Sequence, residues 1–379
     1  MFDLLSPVSI EFDYQFAKEQ ANLGGWIDIY TKKNKPDITK ADIVIIGIED
    51  ERKAVNNEGT KHAPNEIRKA LYKLFPGQWS LQIADLGNVL ISSEEKTRNH
   101  FEEILLSLLQ QGKQIITIGG SQDYTYTITK AFDNYQNLYN LSLIDSIIDA
   151  SLIDSELDNT NFLTKIISNN SSKLHNISIF GLQTYYNHPA KYQIFDKLFV
   201  DYYKLSEIQK DILEAEPEIR DAHIVSFDVS AIKNADLPGQ PESKPNGFTG
   251  QEACALARQS GISVKNRIFG MFEYNPFFDK NLVSANLLAQ VLWYYFEGNN
   301  RKIDDYPNIK KEELIKFYVE NEILSLVFYK NKKTDRWWVE TKGIRMENRL
   351  FSCSENDYKS AVSQKITNRI YRIINKNTI

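Results

Sequence analysis

The chain has 379 residues, 42% hydrophobic and 12% aromatic, enough apolar material for a large core and too much for a disordered polymer. A formal net charge of −5 with no basic tract excludes a surface built to neutralise phosphates, so nucleic acid is not an expected partner. Cys254 and Cys353 lie far apart with no metal-ligand spacing, which points to a reducing, cytoplasmic compartment.

In chain order, residues 1–40 read as a polar lead-in with a helix near Phe12–Leu23 and a break at Gly24-Gly25. Met1–Tyr14 lacks a basic start followed by an apolar core, so no signal peptide is expected. Eight apolar runs of strand length then follow, at Ile43–Ile48, Leu81–Leu86, Ile115–Ile118, Leu141–Ile144, Ile177–Phe180, Phe195–Val200, His223–Phe227 and Ile268–Phe272. Several are nearly continuous in Val, Ile and Leu, as strands covered on both faces require. Helical segments separate most of them. Ala63-Pro64-Asn65-Glu66 opens one that continues through Ile67, Leu71 and Leu74, Phe101–Gln111 stops at Gly112, and Thr249–Gln259 ends before Gly261. The alternation predicts a doubly wound α/β fold with an eight-stranded, mainly parallel sheet in three layers. Leu282–Phe296 is interrupted by Ser284, Asn286 and Gln290, so it reads as a packed helix and not a membrane span.

Past Gly298 the pattern changes. Asn299–Lys311 is charged and reads as a connection, Ile323–Tyr329 and Arg336–Glu340 as strands around a turn at Asn331–Asp335, and Leu350–Cys353 as a third strand. Ser354 and Asp357 are spaced to cap a short helix. The expected organisation is a main α/β domain over residues 1–299 and an α+β extension over 300–379 packed on it. Trp337 and Trp338 read as packing or subunit-interface residues.

Three of the strand runs end in acids. Ile118 leads into Gly119-Gly120-Ser121-Gln122-Asp123, Ile144 into Asp145-Ser146-Ile147-Ile148-Asp149, and Ser226-Phe227-Asp228-Val229-Ser230 closes into Leu237-Pro238-Gly239. Carboxylates at the ends of buried strands face the crevice where open α/β sheets bind ligands. Each also has a plain reading. Asp145 and Asp228 could cap the next loop, Asp149 could face solvent, Asp123 fits an N-cap for the helix starting near Tyr124, and Glu273 could pair with a base. His223, within a strand, reads as a core histidine, and His62, His100, His175 and His188 fall outside the motifs.

Taken in order with Glu273-Tyr274-Asn275-Pro276, these stretches resemble the ureohydrolase family of arginases, agmatinases and formimidoylglutamases over roughly residues 40–298. Gly59–Arg68 and Asp85-Leu86-Gly87-Asn88 resemble two further family segments, and Asp158–Phe162 resembles the formimidoylglutamase substrate loop. The resemblance implies an arginase-type fold and a metal-dependent hydrolase of linear amidines, in which two histidines and four aspartates hold two Mn²⁺ ions and activate a hydroxide. In the family these motifs read GGDHS, DAHxD, SxDxD and ExNP. Here Gln122 and Ile147 stand at the two histidine positions and Ser230 at the fourth aspartate, while Asp145, Asp149, Asp228 and Glu273 match.

Three ligand positions out of six are therefore replaced, and the resemblance implies a catalytically inactive member with no cofactor, or at most a single weakly held hard cation. A one-metal zinc deacetylase arrangement needs a histidine where Ile147 stands. The competing readings are an active C–N hydrolase with a rearranged one-metal site and a non-catalytic pocket for a small guanidino or amino-acid ligand. Glu273 would be the vestigial substrate-side acid, Lys233 the side-chain cation offsetting the remaining carboxylates, and the assembly a homo-oligomer.

Overall fold

A computed structural model describes residues 1–136, 138–151, 153, 155–169, 171–242, 244–306, 313–320, 325–342 and 348–378. Strands β1 (Leu5–Ser6), β2 (Asp28–Ile29), β3 (Ile43–Gly47), β4 (Ile83–Val89), β5 (Gln114–Ile118), β6 (Tyr139–Ile144), β7 (Leu174–Leu182), β8 (Asp201–Lys204), β9 (Ile224–Asp228) and β10 (Ile268–Phe272) form one sheet. Its order is β1-β4-β3-β5-β10-β9-β6-β7-β8, with β2 also on β4. Every pairing is parallel except that of the two-residue β1. The eight longer strands make the expected mainly parallel sheet, and β1 and β2 are short additions. The last two strands in sequence, β9 and β10, occupy the middle.

Successive side chains of β3 point to opposite faces, Ile43 and Ile45 into one apolar cluster and Val44 and Ile46 into the other. Helices 63–71, 250–262 and 283–300 cover the first face through Ile67, Leu256 and Leu292. Helices 94–110, 124–135 and 162–168 cover the second through Phe101, Ile128 and Phe162. This is the three-layer architecture.

Several boundaries depart from the sequence reading. Phe195–Val200 is not a strand. Pro189 opens a helix through Lys197, and the edge strand β8 begins only at Asp201. Gly24 and Gly25 lie inside a short helix, Leu23–Trp26, while the preceding helix stops at Ala21. Gly261 does not end helix 250–262. A Cβ there would lie 2.2 Å from the Tyr295 carbonyl oxygen, so the glycine permits close approach of the next helix. Asp123 makes no side-chain cap: its backbone is already helical, and its carboxylate is paired with Arg98 through Oδ2.

The C-terminal part forms a second, antiparallel sheet of β11 (Leu314–Glu320), β12 (Ser325–Asn331), β13 (Trp337–Lys342) and β14 (Asn348–Cys353). Residues 307–311 of the expected connection and Ile323 and Leu324 of the expected strand lie outside the described residues. β11 went unread in the sequence. Ser354 and Asp357 do cap the helix Glu355–Val362. Trp337 stacks on Tyr358, and Trp338 lies under the Arg220 guanidinium, 4.5 Å from its ring centre. Buried arginines sew this sheet to the main one. Arg369 reaches Glu218 at 2.7 Å and Asp357 at 2.6 Å, and Arg220 donates to the Trp337 carbonyl at 2.9 Å.

A third buried arginine, Arg68, fastens helix 63–71 to β4. Arg68 and Asp85 are both fully buried and bonded in two places, Nε–Oδ2 at 2.8 Å and Nη2–Oδ1 at 2.9 Å, with the Tyr72 hydroxyl adding a bond at 2.8 Å. Arg68→Met should destabilise the protein by about 3–5 kcal/mol, because Asp85 is left buried without its partner. Arg68→Met/Asp85→Leu should recover most of that loss in urea unfolding; a double variant as unstable as the single would refute the uncompensated-charge account.

Candidate functional site

The four central strands β5, β10, β9 and β6 lie side by side and run the same way. Register aligns their carboxyl ends. Phe272 is level with Asp228, and Ile144 with Phe227. The next residue after three of these strands therefore falls on one rim, which is how Gly119, Glu273 and Asp145 meet Asp228. Ligand atoms of Asp145, Asp149 and Asp228 all lie within 4.8 Å of one another.

Each acid is fixed by its backbone surroundings. Asp145 Oδ1 accepts from the Ile147 N–H at 2.8 Å, and Asp228 accepts from Ser230, N–H at 2.7 Å and Oγ–H at 2.9 Å. The loop-capping reading and the site reading hold together for both residues. Asn187, unread in the sequence, pins the loop after β6. Its Oδ1 accepts from the Ile148 N–H at 2.6 Å, and its amide donates to the Ser146 carbonyl at 3.1 Å.

Glu273 does not pair with a base. Its oxygens accept from the Gln122 N–H at 2.7 Å and the Asn57 amide at 2.8 Å. Its φ of +71° is rare outside glycine, so those bonds hold a backbone conformation that costs roughly 1 kcal/mol or more. Gly119 and Gly120, at φ +83° and +71°, are needed where the β5 loop passes under this group. A Cβ on Gly119 would strike Pro64 at 2.4 Å.

The three replaced positions behave differently. Gln122 turns its amide to the Ser226 hydroxyl at 3.3 Å, and its Oε1 is buried with no partner. Ile147 offers no donor atom. Ser230 Oγ sits between Asp228 and the ammonium of Lys244, whose Nζ donates to Ser230 Oγ at 3.0 Å and Ser146 Oγ at 2.9 Å. Lys244 is buried at 5% exposure. Lys233 is turned elsewhere, its Nζ 3.4 Å from Asp236, so the lysine expected at the acids is a different one. A second lysine, Lys191, donates to the Ile148 carbonyl at 2.6 Å.

Burial dominates the electrostatics. It pushes Asp145 up to about 7, helped by the charge of Asp228 and opposed by Lys244. Asp149 goes well above the ordinary carboxyl range through burial and the charges of Asp145 and Asp228, and so holds the proton it shares with Asp145. Asp228 is raised by burial, with Lys244 and the Ser230 bonds acting against it. Burial and Asp228 raise Glu273 to about 7. Burial lowers Lys191 despite the nearby acids. His223 is far from this rim, at the amino end of β9. Its Nδ1 accepts from the Asn140 N–H at 3.1 Å, and burial lowers it to about 4.

The donor set does not fit a manganese pair. Three of six positions lack a carboxylate or imidazole, and an ammonium stands beside one of them. A single hard cation does fit the oxygens of Asp145, Asp149 and Asp228.

The sequence profile described as the arginase family matches residues 41–297. No curated protein matches the chain. Among solved structures, the formiminoglutamase of Trypanosoma cruzi with Mn²⁺ is similar at a TM-score of 0.66 and 21% identity, over 74% of this chain and 99% of that one. The formimidoylglutamase of Bacillus subtilis is similar at 0.64 and 17%, over 70% and 88%. The agmatine ureohydrolase of Thermoplasma volcanium is similar at 0.61 and 18%, over 74% and 94%. Identities this low establish the likeness of fold. The family match stops short of the second sheet. Among the described residues no helix is long and apolar enough to cross a membrane.

The raised carboxyls imply a pH dependence. In the metal-free fold Asp145 and Glu273 keep protons up to about 7 that an unfolded chain releases near 3.8 and 4.5. The folded state binds more protons across that window, so stability is greatest below it and falls as pH rises from about 4 to about 7. Asp145→Asn, which removes one of the two carboxyls whose proton uptake produces the slope, should flatten the dependence of melting temperature on pH. A wild-type slope that rises through this window would contradict the assignment.

Proposed function

The chain belongs to the arginase family, and from that premise we propose that it is a non-hydrolytic member whose crevice serves as a binding site. The observation that carries this reading is Lys244, bonded to Ser230 and Ser146 beside Asp228. An ammonium there supplies positive charge without Lewis acidity, an exchangeable site or a bound hydroxide. Ile147 and the turned-away Gln122 remove the imidazoles on either side. The ligand class is a small guanidino or amino-acid compound, whose N–H donors would meet the carboxyl oxygens of Asp145, Asp149, Asp228 and Glu273. The buried, unpaired Cys254 and Cys353 support a reducing compartment and a cytoplasmic location.

The cluster of three carboxylates favours one alternative occupant, a single hard cation held by Asp145, Asp149 and Asp228. Asp149 would have to give up its proton to it, so occupancy should increase with pH.

Purified protein loaded with excess Mn²⁺ and desalted should retain fewer than two equivalents. It should release no urea from arginine or agmatine and no formamide from formimidoylglutamate. Two equivalents with turnover at an ordinary enzymatic rate, on the order of 1–10³ per second, would overturn the proposal. Gln122→His/Ile147→His/Ser230→Asp should still bind manganese poorly, because Lys244 remains, and adding Lys244→Ala should raise the metal content. If the fourfold variant folds and binds none, backbone geometry and not side-chain loss is the obstacle. Lys244→Met alone should cost roughly 2–4 kcal/mol at neutral pH, where Asp228 loses its compensation, and less at pH 4. Equal losses at both pH values would count against an electrostatic role.

A further inference from the structure

We propose that the mouth of the crevice is a docking surface for a polypeptide segment that presents an arginine side chain to the acids; this rests on the crevice being a guanidino site. The loops after β3, β6, β7, β9 and β10 are bonded to one another in a closed ring around the acids. The Asn275 amide of the β10 loop donates to the Glu58 carbonyl of the β3 loop at 2.8 Å. The Val55 N–H of the β3 loop donates to Asn159 Oδ1 of the β6 loop at 3.0 Å. Gln183 of the β7 loop donates from its N–H to the Ser146 carbonyl of the β6 loop at 3.0 Å, and from its amide to the Asn246 carbonyl of the β9 loop at 3.1 Å. The Asn275 N–H closes the ring on the Gly239 carbonyl of the β9 loop at 2.9 Å.

This ring carries large apolar side chains that face water. Phe277 is 65% exposed and Tyr185 66%, and Val55, Tyr186 and Phe278 are exposed as well. The two leading aromatics are nevertheless held in place. The Phe277 N–H donates to Asn275 Oδ1 at 3.0 Å, and its ring lies 5.4 Å from that of His62. Gly59 makes room for it, since a Cβ there would come within 2.7 Å of the Phe277 ring. Tyr185 donates its hydroxyl to Gln183 Oε1, and its ring meets Tyr186 edge-on at 4.7 Å. Exposed aromatics gathered at one mouth mark an interaction surface, and side chains already fixed lose little freedom when a partner arrives. A free guanidino compound has N–H donors for the acids but no apolar residues for these rings. A chain in which apolar residues flank an arginine supplies both, five donors at the centre and apolar area around them.

The test is calorimetry on the full-length chain at pH 7 with three probes: free arginine, acetyl-Leu-Arg-Phe-amide, and the same peptide with norleucine in place of arginine. Arginine and the arginine peptide should both bind, the peptide about tenfold tighter or more, and the norleucine peptide should not. Phe277→Ala/Tyr185→Ala should bring the peptide down to the affinity of arginine and leave arginine itself unaltered. Three results would overturn the docking surface while leaving the guanidino site intact: arginine bound as tightly as its peptide, peptide affinity unaltered in the folded double variant, or arginine bound together with an equally tight norleucine peptide. Binding of neither arginine nor its peptide would overturn the guanidino site and the docking surface with it. A wild-type dimer that the double variant dissociates would make a second copy of the chain the occupant of this face and overturn the proposal as well.

Discussion

Carboxyl groups brought within 4.8 Å of one another and away from water cannot all be charged. At an effective dielectric near 20, two unit charges at that separation repel by about 3–4 kcal/mol, and here three acids and a nearby glutamate share one rim. The crevice resolves this in two ways at once. A proton stays on the Asp145–Asp149 pair, and Lys244 neutralises the Asp228 side. In a site that holds metal ions the ions themselves would do this. Once Lys244 is seated on Ser230 and Ser146, the replaced ligands and the lysine support each other. An aspartate at position 230 would pair with the ammonium in place of a metal, and a histidine at 147 would stand beside a charge that opposes its ligand role.

The same rim shows that the backbone frame is set independently of the acids it presents. Four parallel strands in register deliver their next residues to one line whatever those residues are. Gly119 is needed for the close pass against Pro64, and Glu273 keeps its left-handed backbone through Asn57 and the Gln122 amide. None of these contacts runs through the carboxylates of Asp145, Asp149 or Asp228, so the frame does not depend on them.

How much of this could be read from sequence follows from the range of each signal. Buried parallel strands announce themselves in four or five residues of Val, Ile and Leu, so seven of the eight apolar runs overlap strands. Phe195–Val200 misled because Phe195 belongs to the end of a helix that Pro189 opens, while Leu198, Phe199 and Val200 form the turn that follows it. β8 itself, Asp-Tyr-Tyr-Lys at the sheet edge, carries little apolar pattern. The acids were legible as strand-end residues. Lys244 was not, because it lies 14 residues past Ser230 in a polar loop, where an exposed lysine is the ordinary expectation. Lys233 is nearer in sequence, but Asp236 takes it up. Proximity along a loop says little about which side chain the loop folds inward.

β9 joins the two ends of the molecule. Asp228 closes it at the crevice, and Asp221 and His223 precede it at the seam, where Arg220 and Arg369 lock the second sheet on. Five residues of extended chain place those ends about 17 Å apart. A strand bonded on both sides by β10 and β6 has one arrangement, not two, so it offers no bistable element through which one end could bias the other. Energetic effects at groups this far apart should therefore add. The second sheet contributes stability to the amino ends of the strands and leaves the electrostatics of the acid rim to Lys244 and the shared proton.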